Sequence, residues 1–252
     1  MSVFAAASMG PTLEGLAPLF ASQQPGFHLE VELSSSRTAC GKVTVEGRAA
    51  DLVVSADADL MRELMMPGAT ERLTRFAGNR LVVAAPRDSN VGKRLAEEPW
   101  QHVVATPDLR IGFADPGQAP VGARTLAALR DNDALVTDES LRVGATVAAR
   151  LQKRFMRPDV AKLIAPLETR DVDAAFVYES EAKQYGLAYA ALDPRIDGST
   201  TTFYAATVPR GARHQEQGHA LLALLLSDAG RRVAARHFLT MLDEPVVESG
   251  TR

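Results

Sequence analysis

Short apolar runs alternate along the chain with stretches in which apolar residues recur every three or four positions. The runs predict strands and the second pattern predicts helices. The predicted strands are Ser2–Ala7, His28–Leu33, Ala50–Ser55, Arg80–Ala85, Leu109–Ala114, Ala174–Tyr178, Leu187–Leu192 and Thr201–Val208. Alternating β and α segments indicate an α/β fold, with a mostly parallel sheet covered by helices on both faces.

The helical pattern fills most of the intervals between these strands. Helices are predicted at Pro11–Gln23, Arg37–Glu46, Asp57–Met65, Val91–Glu98, Ala123–Arg130, Glu139–Phe155, Ala161–Leu167, His214–Leu226 and Gly230–Leu239. The length of 252 residues allows two domains. We expect two lobes, 1–84 with 202–252 and 85–201, because a long excursion separates Arg80 from Val208. The chain then crosses between the lobes twice, near Ala84–Pro86 and near Thr201–Phe203.

Composition and charge exclude several classes of protein. Lys and Arg number 28 against 31 Asp and Glu, a net charge of −3 without a basic stripe, so nucleic acid is not expected as a partner. Cys40 is the only cysteine, which excludes an internal disulfide and a cysteine-rich metal site. No apolar run approaches the ~18 residues of a membrane span. No secretion signal precedes the first strand, which predicts a cytosolic protein or one whose leader has been removed.

Four turns share one arrangement, in which a strand end or turn with small or hydroxyl residues leads into a helix. Free N–H groups and the positive end of the helix dipole then point to one place, which favours an anion. Each turn alone is explained by ordinary helix capping, and the hypothesis depends on the set. The four turns are Ala7-Ser8, Ser34-Ser35-Ser36, Pro120-Val121-Gly122 and Asp159-Val160.

The chemistry of an enzyme is not indicated. No G-x-S-x-G elbow is present, and the five histidines show no HExxH pattern. Asp57 and Asp59 are explained as a helix cap and its first turn. Arg37 and Arg124 lie beside two of the four turns. They could steer or clamp an anion, and surface placement is the interpretation that we prefer.

Several segments resemble the molybdate/tungstate-binding proteins of ABC transporters, in the order that this family has them. VFAAAS with ADLVVSAD is the most specific pair, and the resemblance extends over nearly the whole chain. The matching segments are Val3–Ser8, Ala50–Asp57, Asn79–Ala84, Asp115-Pro116 with Pro120–Gly122, and Phe176–Tyr178 with Ser180.

The resemblance implies a type II periplasmic-binding-protein fold, with two α/β lobes, a hinge of two chain crossings, and an oxyanion between the lobes. Transferred position by position, Ser8 gives a hydroxyl and an N–H, and one of Ser35 or Ser36 does the same. Val121 and Val160 give backbone N–H groups. Tyr178 gives its phenol hydroxyl.

The resemblance also implies a periplasmic or extracytoplasmic, monomeric receptor that delivers molybdate or tungstate to a membrane permease, without a cofactor. Val43–Gly47 and Thr74–Leu81 are similar to an archaeal-type branch in which carboxylates bind the metal. The corresponding positions here are Ala119 and Val160, which are not acidic. We therefore expect a tetrahedral ligand held by hydrogen bonds alone, with no side chain bound to the metal.

Two alternatives remain open at this point. The same fold can bind another anion, such as sulfate, phosphate or a small organic acid. The chain can also be a cytosolic oxyanion-sensing domain or an enzyme built on this fold, although no pairing of nucleophile and base supports an enzyme.

Overall fold

The computed structural model describes residues 1–198 and 202–250, and the chain divides into two compact units. Unit 1 consists of Met1–Gly78 and Thr202–Arg252, and unit 2 of Asn79–Thr201, as far as these ranges are described. The strands are β1 (Ser2–Ala6), β2 (Glu30–Ser34), β3 (Leu52–Ser55), β4 (Arg72–Gly78), β5 (Leu81–Ala85), β6 (Ile111–Ala114), β7 (Met156–Arg157), β8 (Ala174–Tyr178), β9 (Ala188–Ala191), β10 (Phe203–Thr207) and β11 (Thr240–Ser249).

Helices connect most of these strands, and short 3₁₀ turns extend some of them. The 3₁₀ turns are Ala7–Met9, Glu139–Leu141, Lys153–Phe155 and Ala161–Leu163. The α-helices are α1 (Gly10–Gln23), α2 (Ser36–Thr44), α3 (Ala58–Met65), α4 (Asn90–Glu97), α5 (Trp100–Val104), α6 (Pro120–Leu135), α7 (Gly144–Arg150), α8 (Ile164–Glu168), α9 (Glu179–Gln184), α10 (Gln215–Leu226) and α11 (Asp228–Arg236).

The sheet of unit 1 has the order β11-β4-β10-β3-β1-β2. β1 is parallel to β2 and β3, whereas β10 is antiparallel to β3 and β4. Successive residues of β1 point to opposite faces, so Val3 packs with α1 and α10 residues while Phe4 packs with α2 and α3 residues. Both faces are therefore buried, which explains the unbroken apolar runs of β1 and β3.

The sheet of unit 2 has the order β7-β6-β8-β5-β9. β6 is parallel to β7 and β8, and β5 runs antiparallel to β8 and β9. Both sheets are thus mixed, not mostly parallel as expected. Parallel strands require a crossover connection, and β10 begins directly after the chain returns from unit 2, without a helix before it.

The division between the units falls before β5, because β5 hydrogen-bonds to β8 and β9 of unit 2. The sequence places the first crossing after this strand, near Ala84–Pro86. The second predicted crossing begins at Thr201, outside the described residues, and Phe203 is already the first residue of β10.

Three sequence predictions of elements are wrong. The single helix Glu139–Phe155 is instead α7 flanked by two 3₁₀ turns. At Gly144, the first residue of α7, a Cβ would lie 1.7 Å from the Leu129 carbonyl oxygen, so the helix begins where the chain lies directly against α6. The chain ends in the unpredicted strand β11 and not in a helix, and β4 was also missed. These two strands pair with each other, so each depends on a distant partner that no local pattern reveals.

Candidate functional site

The carboxyl ends of three parallel strands lie side by side at one edge of the unit 1 sheet. The register pairs Ala6 with Ser34 and Ala5 with Val54. The segments that follow these strands, which carry Ser8 and the Ser35-Ser36 pair, are therefore neighbours. This edge is where open α/β sheets bind ligands.

Ser8 lies in the 3₁₀ turn between β1 and α1 and is half-buried. The hydroxyl of Tyr204 on β10, itself fully buried, donates to Ser8 Oγ over 3.1 Å. This contact uses an acceptor site of Ser8 and leaves its own hydroxyl hydrogen to donate elsewhere. The turn thus presents a hydroxyl at the strand edge.

Ser35 and Ser36 have different partners. Ser35 is the N-cap of α2, and its Oγ accepts from the Thr38 N–H at 3.1 Å. Ser36, which is 5% exposed, accepts the N–H of Ala56 at 3.1 Å and so joins α2 to the turn after β3. The next residue, Asp57, caps α3 by accepting from the Leu60 N–H at 2.9 Å, as predicted. Ser35 therefore stabilises the start of α2, whereas Ser36 lies among the three strand ends.

The other predicted residues meet at the corresponding edge of the unit 2 sheet. The parallel register pairs Ala114 of β6 with Arg157 of β7, and Gly112 of β6 with Ala175 of β8. Val121 follows β6, Val160 follows β7 and Tyr178 ends β8. The structure thus brings these three residues to one strand edge, on three different segments.

Val121 is the second residue of α6, so its N–H has no acceptor within the helix. The helix is longer than predicted and begins at Pro120, where the fixed φ of proline suits a first turn. Gly122 allows α6 to approach the sheet, because a Cβ there would lie 2.3 Å from the Ala114 carbonyl oxygen. Val160 is half-buried and precedes the turn Ala161–Leu163, a 3₁₀ turn rather than a full helix start.

Tyr178 is 4% exposed, and Arg124 of α6 donates from Nη1 to its Oη over 3.0 Å. Arg124 is thus half-buried and reaches the strand edge, where the sequence interpretation preferred a surface position. Arg124 lies three residues beyond Val121, so it belongs to the first turns of the helix whose start was already assigned to the site. That spacing was the signal for its position.

The carboxylates beside this edge are engaged in their own turns. Asp115 accepts from the Gly117 N–H at 2.8 Å and from Gln118 Nε2 at 2.7 Å. The Gln118 amide and the Gly117 N–H lower the pKa of the Asp115 carboxyl. Asp159 accepts from the Lys162 N–H at 3.0 Å. Both side chains thus accept hydrogen bonds from residues two or three positions further along the chain. Within residues 1–198 and 202–250, no group of three or more His, Cys, Asp or Glu could hold a metal ion.

Residues 1–240 match the family of bacterial extracellular solute-binding proteins. The chain belongs to this family. It is 27% identical over 258 residues to the molybdate/tungstate-binding protein WtpA of Pyrococcus abyssi, an alignment that covers 85% of this chain and 75% of the relative. The resemblance stated from the sequence is thus confirmed.

Solved structures confirm the predicted periplasmic-binding-protein fold. The periplasmic molybdate-binding protein of Azotobacter vinelandii superposes with a TM-score of 0.74 at 17% identity, covering 96% of this chain and all of that one. The sulfate-binding protein SubI of Mycobacterium tuberculosis gives a TM-score of 0.73 at 13% identity, covering 96% of this chain and 87% of that one.

The family establishes the general role. The chain is a solute-binding receptor of the ABC-transporter type and not an enzyme. The family acts outside the cytoplasm, in the periplasm or at the cell exterior, and receptors of this type pass their ligand to a permease. In the part of the chain that the structure describes, we find no helix with the length and apolarity needed to span a membrane.

Proposed function

We propose that this receptor binds a tetrahedral oxyanion, molybdate or tungstate, with donors from both units, and delivers it to a membrane permease. The observation that carries the proposal is the chemistry of the two strand edges. Ser8 and Ser36 each accept a hydrogen bond from within their own unit, so each hydroxyl can direct its hydrogen toward an anion. Tyr178 places a phenol hydroxyl at the strand edge of unit 2. The N–H groups of Val121 and Val160 add two donors.

A neutral set of donors is sufficient for such an anion. A hydrogen bond to a charged group contributes roughly 1.5–3 kcal/mol net, so several together bind a dianion without a lysine or arginine in contact. The relative from Pyrococcus abyssi is named for molybdate and tungstate, which supports these two anions.

We further propose that the metal keeps four oxygens and receives no ligand from the protein. Ala119 and Val160 stand where the archaeal-type branch has carboxylates, and Asp115 and Asp159 are engaged in turns. X-ray absorption at the tungsten edge of the loaded protein is expected to give four short W–O bonds. A six-coordinate spectrum, or a carboxylate oxygen bonded to tungsten in a crystal structure, would reject this geometry.

Sulfate is the second candidate, because the sulfate-binding protein of Mycobacterium tuberculosis shares the fold. Calorimetry with molybdate, tungstate, sulfate and phosphate separates the candidates. We expect tight binding of the first two only. Phosphate retains a proton at neutral pH and needs an acceptor, which these donors do not supply. Preference for sulfate would replace the proposed ligand, and binding of none of the four would reject an oxyanion receptor.

A further inference from the structure

Acidic and basic residues are mixed along most of the chain, but residues 150–162 are an exception. This stretch, the basic segment, holds five of the 28 Lys and Arg residues and one of the 31 Asp and Glu residues, which gives it a net charge of +4. Because the whole chain carries −3, all other residues together carry −7. The five cations are Arg150, Lys153, Arg154, Arg157 and Lys162, and the acid is Asp159. Positive charge is thus concentrated in one short stretch of an acidic protein.

The basic segment lies at the strand edge of unit 2 to which the proposed donors belong. It contains β7, which is parallel to β6 and pairs Arg157 with Ala114, the last residue of β6. The Arg157 carbonyl oxygen accepts from the Asp115 N–H at 2.8 Å. Val160, whose N–H is one of the proposed donors, is part of the segment itself. The positive charge therefore borders the place where the anion is proposed to bind unit 2.

The three arginines of the segment are held by groups that carry no charge. Arg150 donates to two backbone carbonyl oxygens just beyond the end of α5, over 3.1 Å and 2.6 Å. Arg157 Nη1 donates to two backbone carbonyl oxygens of its own segment, over 3.0 Å and 2.9 Å. Arg154 Cζ lies 4.5 Å from the centroid of the Phe155 ring. These contacts fix the arginines in place without neutralising them.

Arginines elsewhere in unit 2 are commonly paired with carboxylates. Arg110 Nη2, for example, lies 2.6 Å from Asp173 Oδ1. Further pairs of this kind are Arg80–Glu179, Arg94–Glu98, Arg130–Asp131, Arg170–Asp88 and Arg195–Asp193. The exposed Lys153 and Lys162 take part in no ion pair within the part of the chain that the structure describes. The basic segment therefore keeps the charge that ion pairs cancel elsewhere.

The electrostatic field of the segment reaches the end of β6. The pKa of the Asp115 carboxyl lies below its ordinary value, chiefly because of the Gln118 amide and the Gly117 N–H, and the charge of Lys153 adds to the lowering. Asp115 and Asp159 are the carboxylates of the segment and of the turn beside it, and they offset part of its charge. Five cations still face these two acids.

We propose that the basic segment attracts oxyanions to the strand edge of unit 2 and so raises the rate at which they bind. Charge of one sign beside a site raises the local concentration of an oppositely charged ligand, and with it the association rate, roughly 10- to 1,000-fold. The segment acts through its field and not by contact with the bound anion. The inference rests on the proposed function, because it gives the segment a task at the oxyanion site.

This attraction changes kon and leaves koff nearly unchanged, because a ligand about to enter the site already feels almost the same field as a bound one. It also depends on salt. Charges act over about 30 Å at roughly 10 mM ionic strength and over only about 3 Å at roughly 1 M. A residue with a merely structural role would not show this dependence on salt.

Neutralising the three exposed cations of the segment tests the proposal. At roughly 10 mM ionic strength, the variant Lys153→Gln/Arg154→Gln/Lys162→Gln is expected to bind tungstate with a kon about 3- to 10-fold below that of the wild type. At roughly 1 M salt the two proteins should have the same kon. Calorimetry gives Kd, and the release of radiolabelled tungstate into an excess of unlabelled tungstate gives koff. The ratio koff/Kd gives kon.

A second triple variant, Lys93→Gln/Arg130→Gln/Arg170→Gln, is the matched control. All three positions are exposed, and both variants have a net charge of −6 where the wild type has −3. Lys93 follows the carboxyl end of β5 and Arg170 precedes β8, so both lie toward the opposite edge of the sheet. Arg130 lies in the second half of α6, away from the start of this helix. The control should keep kon close to the wild-type value at both ionic strengths.

The outcomes separate this inference from the proposed function. If the wild-type protein binds no oxyanion, the proposed function fails and this inference fails with it. If it binds tungstate and the two triple variants have the same kon at low salt, only the role of the basic segment is overturned. A loss of affinity that persists at 1 M salt through a faster koff would also overturn it, because it would indicate direct contact. Thermal denaturation without ligand checks the fold, and Lys153→Gln alone carries the test if the triple variant unfolds.

Discussion

Ser35 and Ser36 are neighbours in the sequence, and their hydrogen bonds distinguish them. Ser35 caps α2, whereas Ser36 accepts the Ala56 N–H among the ends of β1, β2 and β3. The sequence pattern leaves open which of the two binds the ligand, because both serines suit a helix start. We propose Ser36, since its hydroxyl is placed by a backbone group of another strand end.

Substituting the two serines separates capping from binding. We expect Ser36→Ala to weaken molybdate binding by about 1–3 kcal/mol, the cost of a lost hydrogen bond to a charged group. Ser35→Ala should lower the free energy of unfolding by about 1 kcal/mol through the lost cap and change affinity less. Calorimetry and urea denaturation measure the two effects. The reverse pattern would assign the ligand to Ser35.

Glu181 is a buried carboxyl group that the proposed site does not use. It is 4% exposed, and its Oε2 accepts from Ser180 Oγ at 2.9 Å. Among the described residues, its Oε1 has no hydrogen-bond partner. Burial raises the pKa of this carboxyl to about 7, although the Ser180 hydroxyl opposes the rise.

The folded state therefore holds a proton on Glu181 more tightly than the unfolded state does. Its contribution to stability is fully present below the unfolded pKa of about 4.5 and is lost as the pH rises to about 7. Glu181→Gln should thus become progressively more stable than the wild type from pH 5 to pH 8, by an amount on the order of 2–3 kcal/mol. Urea denaturation at several pH values across this range measures the difference in the free energy of unfolding. Glu97→Gln, at an exposed position, is the control. A difference that does not vary with pH would show that Glu181 does not titrate there.

At the scale of elements, the start of α6 depends on one glycine. A Cβ on Gly122 would lie 2.3 Å from the Ala114 carbonyl oxygen, a backbone atom that cannot rotate away. The helix must then move from the end of β6, and the Val121 N–H moves with it.

Gly122→Ala is expected to lower the free energy of unfolding by roughly 1–3 kcal/mol through overpacking and to weaken molybdate binding. Gly117→Ala, in the loop just before, is the matched control, because the nearest atom to its new Cβ would be Asp115 Oδ1 at 3.4 Å, an ordinary contact. Thermal denaturation measures the loss of stability of each variant, and calorimetry measures its affinity for molybdate. Equal effects of the two substitutions would argue against a special role for Gly122.

The sequence predicts elements well where the cause is local. The apolar runs of β1 and β3 and the caps at Ser35 and Asp57 are short-range signals. β4 and β11 were missed because each is held by the other across the sheet. The contact between Arg124 and Tyr178 was not predicted for a similar reason, since the two residues are distant in sequence. The strand-edge residues Ser8 and Val121 were predicted because small residues and turns mark strand ends directly, whereas Tyr178 was predicted only from the family resemblance.

At the scale of the whole molecule, the proposal requires donors from both units to act on one anion. We therefore expect calorimetry to give one molybdate per chain, and Ser8→Ala and Tyr178→Phe each to reduce the affinity. Saturating ligand at about 100 times its Kd should stabilise the folded chain by about 2.7 kcal/mol and raise its Tm. A stoichiometry of two, with each variant affecting one site only, would show two separate half-sites.

The position of β10 has a consequence for the order in which the chain can fold during synthesis. β10 lies between β3 and β4 in the sheet, yet it is made after all of unit 2. While the ribosome is still translating unit 2, β3 has no partner on that side, and β4 cannot join the sheet. Unit 2 is one continuous stretch of chain and has every strand of its sheet before β10 emerges. The nascent protein is thus expected to complete the sheet of unit 2 first and to leave the sheet of unit 1 incomplete until the last fifth of the chain appears.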